Sequence, residues 1–207
     1  ITVTVSSSEA LAAVRKSPVD FHLKIDTGMH RQGFLADEMP RLLSALQPLK
    51  KYFTGIYTHL AKAKDPDDLE YTDKQLAEFE QVVKITRAAG HSPVRHVAAT
   101  GGALVCPAAR QDMVRIGLGL YGLWPAPELA KKFSQKIKLR PALAWRTVIA
   151  ETKTLPAGSR IGYDLVGRVT AKPAGRVGVC PIGYWHGYPR RLSDNAEVII
   201  RRQRAAV

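Results

Sequence analysis

The sequence predicts an α/β fold built on a parallel sheet, followed by the start of an all-β domain. Three observations carry this. Over roughly the first 125 residues, short apolar runs alternate with amphipathic helical stretches, the pattern of strand–helix–strand units. Polar residues (Lys24, Asp26, Arg31, His59, His96 and Arg115) fall at or just after the C-terminal ends of those runs. Beyond about residue 138 the helical pattern stops, and apolar runs are separated by Pro-Ala-Gly turns at 156–158 and 173–175.

The elements follow in order. "ITVTV" (1–5) reads as a strand. "SSSEALAAVRKS" offers serines as N-caps, with Glu9 in the first helical turn. "FHLKID" (21–26) is the next strand, and Leu42, Leu43 and Leu46 give one apolar face to a helix near 36–48. "FTGIYTHL" (53–60) is a strand. A long amphipathic helix over 70–90 is ended by Gly90. "VRHVAA" (94–99), a short apolar helix near 101–106, and a strand and turn at 113–122 complete the alternation. The Pro/Lys-rich stretch 125–141 reads as a link, between a first domain of residues 1–130 and a second of 138–207. "PALAWRTVIAETKTL", "RVGVCPIGY" and "AEVIIRR" supply the β-rich texture of the second.

Parallel strands with right-handed crossovers fit either an open doubly wound sheet or a closed (β/α)8 barrel. Five strands are visible where a barrel needs eight, which places the others upstream. The chain opens on Ile rather than Met and stops inside a strand-like pattern, so both ends read as internal to a longer protein.

Composition narrows the function. No apolar run approaches a membrane span and no signal segment opens the chain. Cys106 and Cys180 stand far apart in apolar contexts, as buried thiols of a reducing cytoplasm would. Neither they nor the six histidines show zinc spacing, so no metal is expected. The formal charge is +13, but residues 1–130 hold 15 Lys/Arg against 14 Asp/Glu, and residues 131–207 hold 16 against 4. With no nucleic-acid-binding motif present, the basic excess reads as a basic face with acidic compensation outside these residues rather than a nucleic-acid site.

The stretches "KIDTGMHRQGF", "GIYTHLAKA", "RHVAATGGAL", "MVRIGLGLYGLWP", "LPAGSRIGYD" and "PIGYWHGYPRRLS" carry the chemistry. In order and spacing, from end to end of the chain, they resemble the alanine racemases, which use pyridoxal 5′-phosphate (PLP). The resemblance implies a partial (β/α)8 TIM-type barrel followed by the start of the C-terminal β-domain. It also implies a homodimer with a composite active site, in which the catalytic tyrosine reaches the partner subunit's cofactor.

The resemblance further implies roles for individual residues. Gly117 and Leu118 bind the PLP phosphate through backbone amides, with the Thr100 hydroxyl beside them; a glycine after a strand suits such close approach. Arg115 faces the pyridine nitrogen. Because arginine donates only, that nitrogen is expected to stay unprotonated and the carbanion less delocalised. His96 backs Arg115, and His59 joins the network towards the tyrosine. Arg31 bonds the cofactor's phenolic oxygen and the substrate carboxylate, as its planar fork allows. Lys24 braces it, as a carbamate in some members. Gly28 and Gly33 close the turn, and His30 is a bystander. Tyr163 is the catalytic base and Tyr184 lines the substrate entrance. Ala99 stands where an Asn is common, and His186 where the family has an Asp.

The function implied is interconversion of L- and D-alanine, for peptidoglycan, by proton transfer between two bases on opposite faces. One base is Tyr163. The other is a lysine in a "KANAYGHG"-like motif, which these residues do not contain, so the 207 residues alone are expected to be inactive. A racemase for another amino acid such as serine, a related barrel decarboxylase, and a non-catalytic PLP-binding or basic binding protein are the competing readings.

Overall fold

The computed structural model describes all 207 residues and divides into two units, Ile1–Leu143 and Ala144–Val207. In the first, strands β1 (Val3–Val5), β2 (Phe21–Lys24), β3 (Phe53–Tyr57), β4 (Val94–Ala99) and β5 (Met113–Arg115) pair in parallel in the order β1-β2-β3-β4-β5. An unreversed order is the winding of a barrel; a doubly wound sheet reverses at a switch point. The fold is therefore a partial (β/α)8 barrel followed by a C-terminal β-domain.

The helices are α1 (Ser8–Lys16), α2 (Met39–Leu46), α3 (Glu70–Ala88), α4 (Thr100–Val105) and α5 (Pro127–Phe133). Ser7 caps α1 by accepting the Ala10 amide. α3 ends in a Schellman turn: Gly90 takes φ +81°, and the His91 amide reaches the Thr86 carbonyl. α5 lies inside the stretch that composition marked as a link. Pro127 opens it, and Lys131 and Lys132 close it.

The core forms between the outer face of the sheet and the helices. Phe21, Leu23, Ile56 and Val97 meet Leu11, Val14, Leu42, Leu46, Phe79 and Val83, all buried. The other pleat of the sheet is polar. In register, His22 pairs with Gly55, Lys24 with Tyr57, and Tyr57 with His96. Period-two alternation thus sends apolar residues to the helices and these groups to the opposite face.

The second unit is built from two-residue to six-residue strands. β6 (Glu151–Pro156) pairs antiparallel with β9 (Ala174–Val179), β7 (Arg160–Ile161) with β8 (Gly167–Arg168), and β10 (Glu197–Ile200) with β11 (Gln203–Ala206). Residues 143–150 form no ladder, so the β-run expected from residue 141 begins at Glu151. No helix of the chain is long and apolar enough to cross a membrane, and no group of metal-ligating side chains is present.

Candidate active site

Arg115, at the end of β5, is the centre of the polar pleat. Its Nη1 donates to His96 Nδ1 at 2.7 Å. Its Nη2 donates to the carbonyls of Thr58 (2.8 Å) and Val97 (2.9 Å), and lies 3.1 Å from His59 Nδ1. The guanidinium sits 5.0 Å over the Tyr57 ring. Burial lowers the Arg115 pKa and Tyr57 acts against that; a guanidinium stays charged regardless. Every hydrogen bond fixes a terminal nitrogen, and the Nε–H is left with no protein acceptor.

His96 is buried, and its pKa falls to about 3, chiefly through burial, then through the Arg115 charge and the neighbouring His22 ring, which would resist a second proton in the pair. It is neutral at any working pH. His59 is also pushed down, by burial first and then by Arg115, Arg31 and Lys24. Tyr57 stacks on the His96 ring, centroids 4.5 Å apart and planes 10° from parallel, and its hydroxyl meets Thr4 Oγ1 at 3.1 Å.

Thr100 opens α4 next to this cluster. Its Oγ1 accepts the amides of Gly117 (3.1 Å) and Gly119 (3.3 Å). A hydroxyl that accepts twice still has its own proton to give, and no protein acceptor takes it. The Leu118 amide is likewise without a protein acceptor. A Cβ on Gly117 would meet nothing within 4 Å, whereas one on Gly119 would lie 2.8 Å from Thr100 Cγ2. The outcome is a set of hydrogen-bond donors around open space. The sequence-based expectation had Gly117 donating outward; here its N–H goes to Thr100 Oγ1, and the Leu118 amide and Thr100 hydroxyl are the free donors.

The loop after β2 is tied from inside. Asp26 Oδ1 accepts the amides of Gly28 (3.0 Å), Met29 (2.9 Å) and His30 (2.9 Å). Burial works against the Asp26 carboxylate, but those amides outweigh it and hold its pKa low. Gly28 and Gly33 adopt φ +124° and +120°, and a Cβ on Gly33 would lie 2.8 Å from the Asp26 nitrogen. The loop presents Arg31 to solvent without a protein partner. Lys24 is buried without one, and burial, then Arg31, depress its pKa. His30 stands outside, its ring 4.0 Å from Asp26.

Helix α3 clamps this loop to the one after β3. Buried Gln75 donates to the His59 carbonyl (3.1 Å) and to Thr27 Oγ1 (3.4 Å), and accepts the Ala61 amide (2.8 Å). Thr27 and Thr58 share a hydrogen bond of 2.8 Å, and the Tyr71 hydroxyl holds the Gly28 carbonyl at 2.9 Å.

Lys24, Arg31, His59, His96, Thr100, Arg115, Gly117 and Leu118 thus converge at the C-terminal ends of β2 to β5. The other two candidates lie in the second unit. Tyr163 opens a turn after Gly162, is 91% exposed and bonds no protein group. Tyr184 is 71% exposed. His186 Nδ1 accepts the Gly183 amide at 3.2 Å, as an aspartate oxygen could, so the turn keeps an acceptor. Tyr57, Thr58, His22, Gln75 and Tyr71 were not singled out from sequence. The alternation in "FHLK" and "FTGIY" does put His22 and Tyr57 on the pleat of Lys24.

Residues 1–125 match the alanine racemase N-terminal domain and residues 142–207 the alanine racemase C-terminal domain, each as a family model. The chain belongs to the alanine racemase family. An alanine racemase of Symbiobacterium thermophilum is 41% identical over 188 residues, covering 90% of this chain and 48% of its own length. The solved alanine racemase of the D-cycloserine producer Streptomyces lavendulae superposes with TM-score 0.82 at 31% identity, over 100% of this chain and 56% of that one. An alanine racemase of Bartonella henselae, solved with covalently bound pyridoxal phosphate, shares the fold with TM-score 0.75 at 21% identity, over 99% of this chain and 55% of that one. The chain spans about half the length of the alanine racemases it matches.

Proposed function

We propose that the protein is a PLP-dependent alanine racemase. The observation that carries this is Arg115, locked at its terminal nitrogens with Nε–H free, beside the unpaired donors of Thr100 and Leu118. That set fits pyridoxal phosphate: hydroxyl and amide donors for a phosphate, and a guanidinium for a ring nitrogen. The relative solved with covalently bound pyridoxal phosphate supports the cofactor.

When bound, PLP supplies the electron sink that acidifies the substrate α-C–H. The chain's own residues do the rest. Arg115 gives the ring nitrogen a donor but no proton, since a guanidinium does not release one. Arg31 takes the substrate carboxylate, and its lack of a protein partner leaves its fork available. Lys24, its ammonium disfavoured by burial and by Arg31, is suited to become a carbamate that braces Arg31. Tyr163 Oη carries the α-proton on one face, and Tyr184 borders the entrance. An exposed, unpartnered Tyr163 is what a composite site in a homodimer requires, because its target lies on another subunit.

The test is chiral analysis of the full-length protein with PLP and L-alanine. D-alanine should accumulate until the enantiomers, equal in energy, reach equal amounts, and the same should hold from D-alanine. Absence of D-alanine overturns the reading. Faster conversion of serine than alanine shifts the substrate and keeps the chemistry.

A further inference from the structure

We infer that His22 is a positioning residue for Arg115, acting through His96. His22 Nδ1 lies 2.8 Å from His96 Nε2, with ring centroids 4.9 Å apart. The far nitrogen of the same His96 ring holds Arg115 Nη1 at 2.7 Å. The roles in this chain are forced. Arginine only donates, so His96 Nδ1 must accept. The neutral His96 ring then carries its proton on Nε2 and donates it to His22 Nδ1. His22, also held neutral by burial, must keep its own proton on Nε2.

Gly55 is independent support. It faces His22 across the β2–β3 ladder, and a Cβ there would lie 2.3 Å from the His22 ring. Its backbone is not in the left-handed region, so conformation does not demand glycine. The missing side chain is the space into which the His22 ring is laid, flat enough to meet His96. On the other side Tyr57 stacks on His96. The imidazole that holds Arg115 is thus fixed at both nitrogens and on one face. Without His22 the His96 ring loses the acceptor that sets its rotation, and the aim of Arg115 Nε slackens with it.

This inference rests on the proposed placement of Arg115 at the cofactor ring, and the experiment separates the two. The full-length enzyme, labelled with ¹⁵N-histidine, is examined by long-range ¹H–¹⁵N NMR, with His96 signals assigned through His96→Gln. The expected result is a neutral His96 with a downfield, slowly exchanging Nε2–H. In His22→Leu that proton should lose its protection, and kcat for alanine should fall roughly 10- to 100-fold, the scale for residues that orient a working imidazole. KM for alanine should change less than about threefold. In His22→Asn, whose Oδ1 sits near the place of Nδ1, both the protected proton and most of kcat should return. A His96 proton on Nδ1 in the wild type overturns the inference. So does a His22→Leu enzyme with unchanged His96 signals and kcat, or a loss of kcat that His22→Asn does not restore. If His22→Leu disturbs His96 while neither it nor Arg115→Lys alters racemisation or cofactor absorbance, the relay stands and the cofactor reading falls.

Discussion

Arg115 and Tyr163 are opposites in how the structure treats them. Four groups take the terminal nitrogens of Arg115, whereas Tyr163 is 91% exposed and makes no side-chain hydrogen bond. Each predicts a distinct phenotype in the full-length enzyme. Tyr163→Phe should leave folding and cofactor absorbance intact, since no packing is lost, while racemisation falls roughly 10²–10⁴-fold. Exchange of the α-proton with D₂O should become unequal for the two alanine enantiomers, because only one face loses its base. Near-wild-type racemisation by this variant would remove Tyr163 from the mechanism. On the proposed placement of Arg115 at the cofactor ring, Arg115→Glu puts a carboxylate where only a donor stood, so a proton could be shared with the ring nitrogen. Racemisation should slow by roughly 10²-fold or more, and adding alanine should produce new long-wavelength absorbance. An unchanged spectrum and rate would mean that Arg115 is not at the ring. The resemblance supplied both residues, but it did not supply Arg115's partners. His22 and His96 are 74 positions apart, and no local pattern announces a contact at that range.

At the scale of elements, legibility followed local signals. α1 was readable because Ser7 caps it and Glu9 and Lys16 suit its ends. α3 was readable because apolar positions recur over five turns before Gly90. α5 carried start and stop signals too, yet its Pro/Lys composition outweighed them in the reading of 125–141 as a link. The bonds between elements were not readable, and Gln75 shows why. As a polar residue on an amphipathic helix it looks solvent-facing, but it is buried and ties α3 to the loops that carry Arg31 and His59. Gln75→Leu would keep the volume and strand the Ala61 amide and the His59 carbonyl. The expected cost is about 1–3 kcal/mol, read by chemical denaturation, together with a fall in kcat/KM as both loops loosen. Stability within about 0.5 kcal/mol of wild type would show the clamp to be idle.

Over the whole molecule, the histidines set a common acid limit. His22, His59, His91 and His96 all have pKa values below 6.5, with burial the largest cause each time, and His96 falls to about 3. A folded state whose histidines resist protons binds fewer of them than the unfolded chain. The histidines' contribution to stability is therefore full above about pH 6.5 and falls as pH drops, down to the folded pKa values. Asp112, held at about 2 by its Arg95 hydrogen bond, adds its loss only below its ordinary value near 3.8. The interval from pH 6.5 to 4.5 thus belongs to the histidines. His91 isolates the effect, because it lies outside the polar cluster, tilted against Phe53 with rings 5.4 Å apart, and its buried Nε2 has no partner. An orphaned buried nitrogen costs roughly 1–3 kcal/mol, so His91→Phe removes both that cost and one resisted proton. The variant should match or exceed wild-type stability at pH 8 and exceed it by a wider margin at pH 5, with kcat unchanged. Urea unfolding at the two pH values measures this. An equal margin at both would mean that His91 titrates normally in the folded protein. A variant less stable than wild type at pH 5 would mean that Nε2 has an acceptor the structure does not show.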